Sequence, residues 1–324
     1  MAQVPTQEDV ARAAGVSRGL VSLALADSSR VADATKKRIL EAADRLGYVR
    51  NLGAASLASN RSPVVGVLLP DLRNPFFEDV VDSLQRNAEP RGLVVLVATA
   101  SNDRQRERAV MRRFRELRAM AVVLVSPGAS ARVMREYARQ VPVVTLGLAR
   151  SGGLVDAVHV DEATAGRLVA ARLRALDVSE LLHLALDAGR RDSTIAARRD
   201  AVEAAARAEG LAFRCAETMD GALAAASAAR PRELGIVAHN DLEAIALVSA
   251  LRLNGLSPGP SLPVVGFDDT YLAAMPEFGL TSVSQDPDAL GVAALDLALR
   301  RLDEPGRPGV EVIVQPRLTL RATA

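Results

Sequence analysis

The sequence predicts an α/β chain in two parts: a three-helix head and a two-lobed body of doubly wound parallel sheet. Three observations predict it. Residues 6–46 hold three short helical stretches with inward apolar stripes, and Gly15 parts the first two. From Val64 onward, apolar runs of buried-strand type alternate with helical stretches, the rhythm of a parallel sheet covered on both faces. That rhythm runs twice in tandem, and two such halves make two lobes with a cleft at the carboxyl ends of their strands.

The head comes first. Thr6 stands three residues before Asp9, a capping-box start. Val10 and Ala14 share one face of the first helix, and Gly15 supplies a residue able to leave it in the left-handed conformation. Ser17 can cap a second helix, on which Val21 and Leu25 share a face. Two short helices about a Gly turn make a helix-turn-helix, whose second helix presents its N-terminal side chains to base edges in the major groove. A third helix is expected from Asp33 or Ala34 to Leu46, with Ile39, Ala42, Ala43 and Leu46 on its apolar face and Gly47 as its stop. Tyr48 closes the small core. Lys36, Lys37 and Arg38 are available for phosphates, although a solvated face explains them equally well.

Asp9-Val10-Ala11, Ala14-Gly15-Val16-Ser17 and Val21-Ser22, followed by Val31-Ala32, Thr35 and Leu46-Gly47-Tyr48, resemble the opening signature of the LacI family of bacterial transcription regulators. The resemblance implies contacts to operator DNA from Thr6, Ser17, Arg18, Gly19, Leu20 and Ser22. It also makes residues 50–61 a hinge helix that enters the minor groove, with Asn51, Ala54 and Leu57 on the DNA and Leu57 as a wedge in the central step. Arg50 and Ala55 depart from the family's Pro and Arg there. A flexible linker is the alternative reading of this segment.

The body is read as strands at 64–69, 93–98, 121–125 and 142–146, and again near 181–186, 211–215, 234–238 and 263–267. Between them lie helices around 76–90, 103–118, 130–139, 162–176, 195–209, 221–229 and 241–253. The family resemblance implies a periplasmic-binding-protein-like body whose last helix, Pro287 to Leu302, and following strand return to the first lobe. The expected boundaries are 1–48 for the head, 49–61 for the hinge and 62–324 for the body. Within the body, the first lobe takes 62–161 with 288–324, and the second takes 162–287. No heptad repeat follows Arg317-Leu318-Thr319, so a tetramer-forming tail is not expected.

Candidate ligand residues sit where strands end and helices begin. Asp71-Leu72-Arg73-Asn74-Pro75-Phe76-Phe77 follows the first strand, with Asn74 for hydrogen bonding and Phe76 for stacking on a ring. One of the two Phe is expected in the core. Arg198 lies twelve residues before Gly210, the family's spacing for an effector-binding Arg, and Arg199 competes with it. Asn240, Asp268 and Gln285 complete a ring of planar polar groups suited to bidentate recognition of vicinal hydroxyls. Here Asn240 or Asp241 is also a natural helix cap. Gly147 stands where the family often has an Asp, which removes one sugar contact.

Composition narrows the classes. The 324 residues carry a net charge of +1, split into nine Lys/Arg against six Asp/Glu over residues 1–61 and 31 against 33 beyond. A basic head on a slightly acidic body is the footprint of a nucleic-acid reader. No apolar run reaches the ~18 residues needed to span a bilayer, and no signal peptide is visible. Lone Cys215 fits a reducing cytoplasm. His159, His183 and His239 lack ligand spacing, so no metal and no cofactor is expected. There is no Gly-rich phosphate loop, nucleophile elbow or Cys/His pairing, so an enzyme is not expected. The reading is a cytoplasmic homodimeric transcription regulator, a repressor in the first instance, controlled by a small-molecule effector of carbohydrate type between the lobes. The alternatives are control by a protein partner or corepressor, and a solute-binding protein.

Overall fold

The computed structural model describes residues 5–25, 28–49, 62–101, 103–149, 155–186 and 194–324. Contacts divide the chain into two units after Ser62.

The first unit holds α1 (Gln7–Ala14), α2 (Arg18–Leu25) and α3 (Asp33–Leu46). The capping box forms as read: the Asp9 backbone N–H donates to Thr6 Oγ1, and the Thr6 N–H donates to the Asp9 carboxylate at 3.0 Å. Gly15 ends α1 in the left-handed region at φ 64°, which an L side chain rarely adopts. The Leu20 N–H donates to Ser17 Oγ at 3.3 Å at the start of α2. Val10, Val21 and Ile39 are completely buried, with Leu20, Leu25 and Tyr48 packed around them.

The second unit contains β1 (Val64–Leu69), α4 (Pro75–Ala88), β2 (Val94–Thr99), α5 (Arg104–Glu116), β3 (Ala121–Val125), α6 (Ala131–Ala138), β4 (Val143–Leu146) and β5 (Asp156–Val160). It continues with α7 (Glu162–Ala175), β6 (Glu180–Leu184), α8 (Thr194–Ala208), β7 (Ala212–Ala216), α9 (Met219–Ala228), β8 (Leu234–Ala238) and α10 (Asp241–Leu253). Last come β9 (Val264–Asp268), α11 (Tyr271–Ala274), β10 (Thr281–Ser284), α12 (Pro287–Asp303), β11 (Glu311–Val314) and β12 (Arg317–Thr319).

Two six-stranded sheets result, ordered β11-β5-β4-β3-β1-β2 and β12-β10-β9-β8-β6-β7. Every neighbouring pair is parallel except β10 with β12. In the first lobe, α4 and α12 pack one face of the sheet, through Val80, Leu84, Leu290 and Ala294, and α5 and α6 cover the other through Met111, Phe114 and Met134. In the second lobe, α9 and α10 cover one face, and α7 and α8 the other.

The chain's end departs from expectation. Helix α12 and β11 return to the first sheet, but β12 pairs antiparallel with β10, Val283 opposite Leu318, so residues 317–324 lie in the second lobe and not the first. Strand β10 would otherwise be an open parallel edge, and the tail supplies its missing partner. Thr323 completes the join, donating to the Val264 carbonyl at 2.7 Å and accepting the Thr281 N–H at 2.9 Å.

Candidate functional site

A cavity of about 320 Å³ opens between the lobes at the carboxyl ends of both sheets. All six candidate ligand residues line it: Asn74, Phe76, Arg198, Asn240, Asp268 and Gln285.

Their local structure explains how they arrive. Asn74 ends the β1–α4 turn and caps α4, accepting the Phe76 N–H at 3.1 Å ahead of Pro75 at the first helical position. Asn240 caps α10 in the same way, accepting the Glu243 N–H at 2.9 Å. Asp268 ends β9 at φ 108°, a conformation that costs a non-glycine residue energy and is held only because its neighbours fix it. Gln285 follows β10 at one of the chain's passages between lobes.

The polar groups form two linked clusters. In the first, Asp268 accepts from Asn74 Nδ2 at 2.7 Å and from Gln285 Nε2 at 2.5 Å. The Asn74 bond joins the lobes, because Asn74 follows β1 and Asp268 belongs to β9. Burial, and then the nearby Asp241 carboxylate, push the Asp268 carboxyl well above the usual carboxylate range. In the second, Arg198 is 3% exposed and donates to Glu162 from Nε at 3.1 Å and Nη2 at 2.8 Å. Its Nη1 donates to the His239 carbonyl at 2.7 Å, and its guanidinium lies 4.1 Å from the centre of the Phe267 ring. Burial opposes the charge, but Glu162 outweighs burial and keeps the guanidinium protonated. Arg199, the competitor, points away and pairs with exposed Asp200 at 2.7 Å.

Glu162 was not singled out from the sequence, where it reads as an ordinary first-turn acid. Helices α7 and α8 bring it to Arg198 because Gly166 lets them touch: a Cβ there would lie 2.6 Å from the Ala201 carbonyl oxygen. Asp241 was read as a possible cap. It is instead fully buried, and accepts from the Thr270 N–H and hydroxyl at 2.7 and 2.9 Å and from Ser282 Oγ at 2.6 Å. It braces the β8, β9 and β10 ends and does not line the cavity.

The two Phe divide differently from the simplest expectation. Phe76, the one assigned to stacking, is 6% exposed and belongs to the first-lobe core, while Phe77 is half-buried. Their rings are tilted by 60° at 5.8 Å, and both reach the cavity wall. The reason is helical: position 76 falls on the same inward stripe as Val80 and Leu84. Gly147 also lines the cavity, without a side chain to offer. His239 and His183 lie on the second-lobe side. Burial, then Arg198, pushes His183 down to about 4 and His239 well below its ordinary value, so both are neutral imidazoles.

In the head, Ser17, Arg18, Gly19 and Ser22 are exposed on and before α2, whereas Leu20 is half-buried against the head core. Thr6 is exposed, but its hydroxyl is engaged with Asp9 at 2.7 Å. Asn51, Ala54 and Leu57 lie outside the described residues. Among the described residues no group of three or more His, Cys, Asp or Glu is placed to hold a metal ion, and no helix is long and apolar enough to cross a membrane.

Comparison with known proteins decides the family. Residues 6–51 match the model of bacterial regulatory proteins of the lacI family, and residues 170–324 match the periplasmic binding protein-like domain. The chain belongs to the lacI family of bacterial regulatory proteins. The HTH-type transcriptional regulator DegA of Bacillus subtilis is 24% identical to this regulator over 323 residues, covering 97% of this chain and 96% of that one. The lac repressor dimer bound to operator and the anti-inducer ONPF matches its fold at a TM-score of 0.81 and 21% identity, over 99% of each chain. A periplasmic binding protein/LacI transcriptional regulator from Alkaliphilus metalliredigens, complexed with D-xylulofuranose, matches at 0.68 and 19% identity, over 81% of this chain and 98% of that one. The regulator thus joins a helix-turn-helix head to a two-lobed body of ligand-binding type, and is not an enzyme.

Proposed function

We propose that this regulator is a cytoplasmic, homodimeric repressor whose hold on a pseudo-palindromic operator is set by a carbohydrate in the cavity between its lobes. The observation that carries the reading is the Asn74–Asp268 bond: a ligand that takes either partner acts on both lobes at once. Such control requires only that the ligand bind one lobe arrangement better than the other.

The charge of the cavity narrows the effector. Glu162 already balances Arg198, so the one buried guanidinium is not a free anion receptor. Of its five N–H groups, three are engaged by Glu162 and the His239 carbonyl, leaving two for a ligand oxygen. Asn74, Asn240, Asp268 and Gln285 add neutral amides and a carboxylate that neighbouring hydroxyls can pair with. Asp71, Arg73 and Glu243 also line the cavity, so its remaining guanidinium is offset by two further carboxylates, and the balance favours a neutral polyol as effector. A homodimer is supported by β2, an edge strand of the first sheet with Val94 44% and Leu96 36% exposed.

Operator recognition rests on Arg18, exposed at the first position of α2 beside side-chain-free Gly19. Arg18 reads guanine through its O6 and N7 acceptors. Arg18→Ala should cost roughly 1–3 kcal/mol on the operator and little on unrelated DNA. Anisotropy titrations on duplexes from upstream of the gene measure both. Equal loss on the two DNAs would assign Arg18 to phosphate. A thermal-shift panel of neutral pentoses and hexoses tests the effector, and a sugar that stabilises the protein should also change operator affinity. If it stabilises without changing operator affinity, the cavity does not control DNA binding.

A further inference from the structure

We propose that the groove between α5 and α6, on the outer face of the first lobe, is a second ligand site that takes a phosphate-bearing small molecule. Residues 104–118 hold seven Arg and two Glu, a formal +5 in a chain whose total is +1. Neither Glu lines the groove. Glu107 is 6% exposed and turned inward, accepting the Gly128 and Ala129 N–H groups at 3.0 and 3.1 Å. Glu116 is exposed at the last position of α5 and does not line the groove.

Arg108, Arg112 and Arg115 stand at i, i+4 and i+7 of α5, so their side chains share one helix face. All three are exposed, and among the described residues none has a side-chain hydrogen bond or an ion pair. Like charges at this spacing repel and weaken the helix that carries them. Buried Met111 and Phe114 anchor α5 to its sheet, so the repulsion is borne by packing and can be relieved by an anion.

The arginines face a concave surface. They line a hollow of about 370 Å³ with Gln105, Ala109 and Tyr137. Arg108 and Tyr137 also line an adjoining hollow of about 260 Å³, beside Arg132 and Gln140. Its one acid, Glu136, is paired to Arg132 at 2.7 Å. Tyr137 ties the two helices together, donating its hydroxyl to the Arg108 carbonyl at 3.3 Å. Arg108, Arg112, Arg115 and Tyr137 thus share the wall of one hollow.

Guanidinium forks match phosphate oxygens in pairs, and three about one hollow suit an anion with several charges in a small volume. Arg108, Arg112, Arg115 and Arg132 line these walls, which favours an anion over a lipid tail or an apolar peptide. The two hollows are small and bounded by Gln105 and Gln140, a size for a metabolite and not for a polymer. The ligand chemistry is an oligophosphate or a phosphorylated metabolite, distinct in charge from the neutral polyol of the interlobe cavity.

The test is calorimetric titration of the full chain with sodium pyrophosphate at about 0.15 M salt, where surface ion-atmosphere effects are screened. Parallel titrations use glucose 6-phosphate, ATP and citrate. The parent should bind pyrophosphate one to one, with citrate weaker. The relative affinities of the two organic phosphates tell a free oligophosphate from a phosphorylated metabolite. Arg112→Ala with Arg115→Ala should lower affinity at least about tenfold, while Arg112→Lys with Arg115→Lys retains an intermediate affinity, because Lys keeps charge without the fork. Both side chains are exposed, so melting temperatures should stay unchanged. Unsaturable heats, or an affinity unaffected by the double Ala variant, would overturn the site. So would a loss of binding to non-operator duplex as large as the loss for pyrophosphate, which would make the face a nucleic-acid surface.

Discussion

Two buried arginine–carboxylate clusters sit in the body of this regulator, and they are built differently. In the first lobe, Asp156 of β5 is wholly buried and takes four donors. Arg301 Nη2 and the Val310 N–H reach Oδ1 at 2.6 and 2.7 Å, and Arg301 Nε and Arg307 Nη2 reach Oδ2 at 3.0 and 2.9 Å. That cluster ties β5 to α12 and to the approach to β11, and its carboxylate has no acceptor capacity to spare. In the second lobe, Asp268 takes two neutral amides, one of them from the other lobe, and Arg198 keeps two N–H groups unclaimed. The first cluster's carboxylate is saturated and holds one lobe together, although Arg307 Nε and Nη1 are buried there without hydrogen-bond partners. The second is open on the cavity side and depends on how the lobes are arranged. Unspent hydrogen-bonding capacity at a cavity wall, and not burial or charge alone, separates a ligand site from a structural clamp.

The sharpest way to break this comparison is Asp156→Ala. It strands Arg301 and Arg307, whose side chains are 3% and 9% exposed, without their counter-charge. Removing one partner of a buried ion cluster typically costs about 3–5 kcal/mol. Denaturant unfolding should show a loss of that order. A loss under about 1 kcal/mol, the worth of a surface pair, would mean the cluster is not the clamp described.

Glu162→Gln should cost less and reveal more. Arg198 keeps the His239 carbonyl, the Phe267 ring and the distant charge of Asp268, so a stability loss of roughly 1–3 kcal/mol is expected, the range for an unmet buried group. The cavity gains a free guanidinium. Glucuronate, a singly charged sugar acid, should then stabilise the variant more than the parent in a thermal-shift titration. An identical glucuronate response in both proteins would show that Glu162 does not set the charge the cavity accepts.

The same contrast explains what could be read in advance. The head was legible because its signals are local: Thr6 with Asp9, Gly15 and Gly47 at the helix ends, and the inward stripe through Val10, Val21 and Ile39. The Val-rich strands β1, β3 and β4 were legible for a similar reason, since a strand buried on both faces is a continuous apolar run. Strands β5 and β10 were not. Their sequences, Asp-Ala-Val-His-Val and Thr-Ser-Val-Ser, are buried yet polar, because Asp156 serves the Arg301 cluster and Ser282 donates to the buried Asp241 brace. In the site, Asn74, Asn240, Asp268 and Gln285 lie at or just past strand ends, where pattern and resemblance coincide, whereas Arg198 lies within α8 and was legible from the resemblance alone. Glu162 was missed because its role exists only once α7 lies against α8 across Gly166. The return of β12 to the second sheet was missed because strand pairing over such separations leaves no trace in local sequence.

Asp268→Asn should give the smallest change at neutral pH and tests the open cluster most directly. Asn offers a single acceptor where Asn74 and Gln285 both present N–H groups, so one hydrogen bond is lost, at about 1 kcal/mol. The variant also removes a buried charge, which offsets that loss, and net stability near pH 7 should move by no more than about 1 kcal/mol. The pH dependence separates the two effects. Burial raises the folded Asp268 carboxyl above its unfolded value of 3.8, so between the two values the native state binds more protons than the unfolded chain. Stability then falls as pH rises through that window, and is fully present only below the unfolded value. The Asn variant lacks this slope, and Asp241, also raised by burial, loses the neighbouring charge it shares with Asp268, which adds to the difference in the same direction. Unfolding free energies of parent and variant, compared from pH 4 upward, should therefore start with the parent ahead and converge or cross as pH rises. A difference that stays constant with pH would show that Asp268 ionises as an ordinary carboxylate and that burial between the lobes does not raise it.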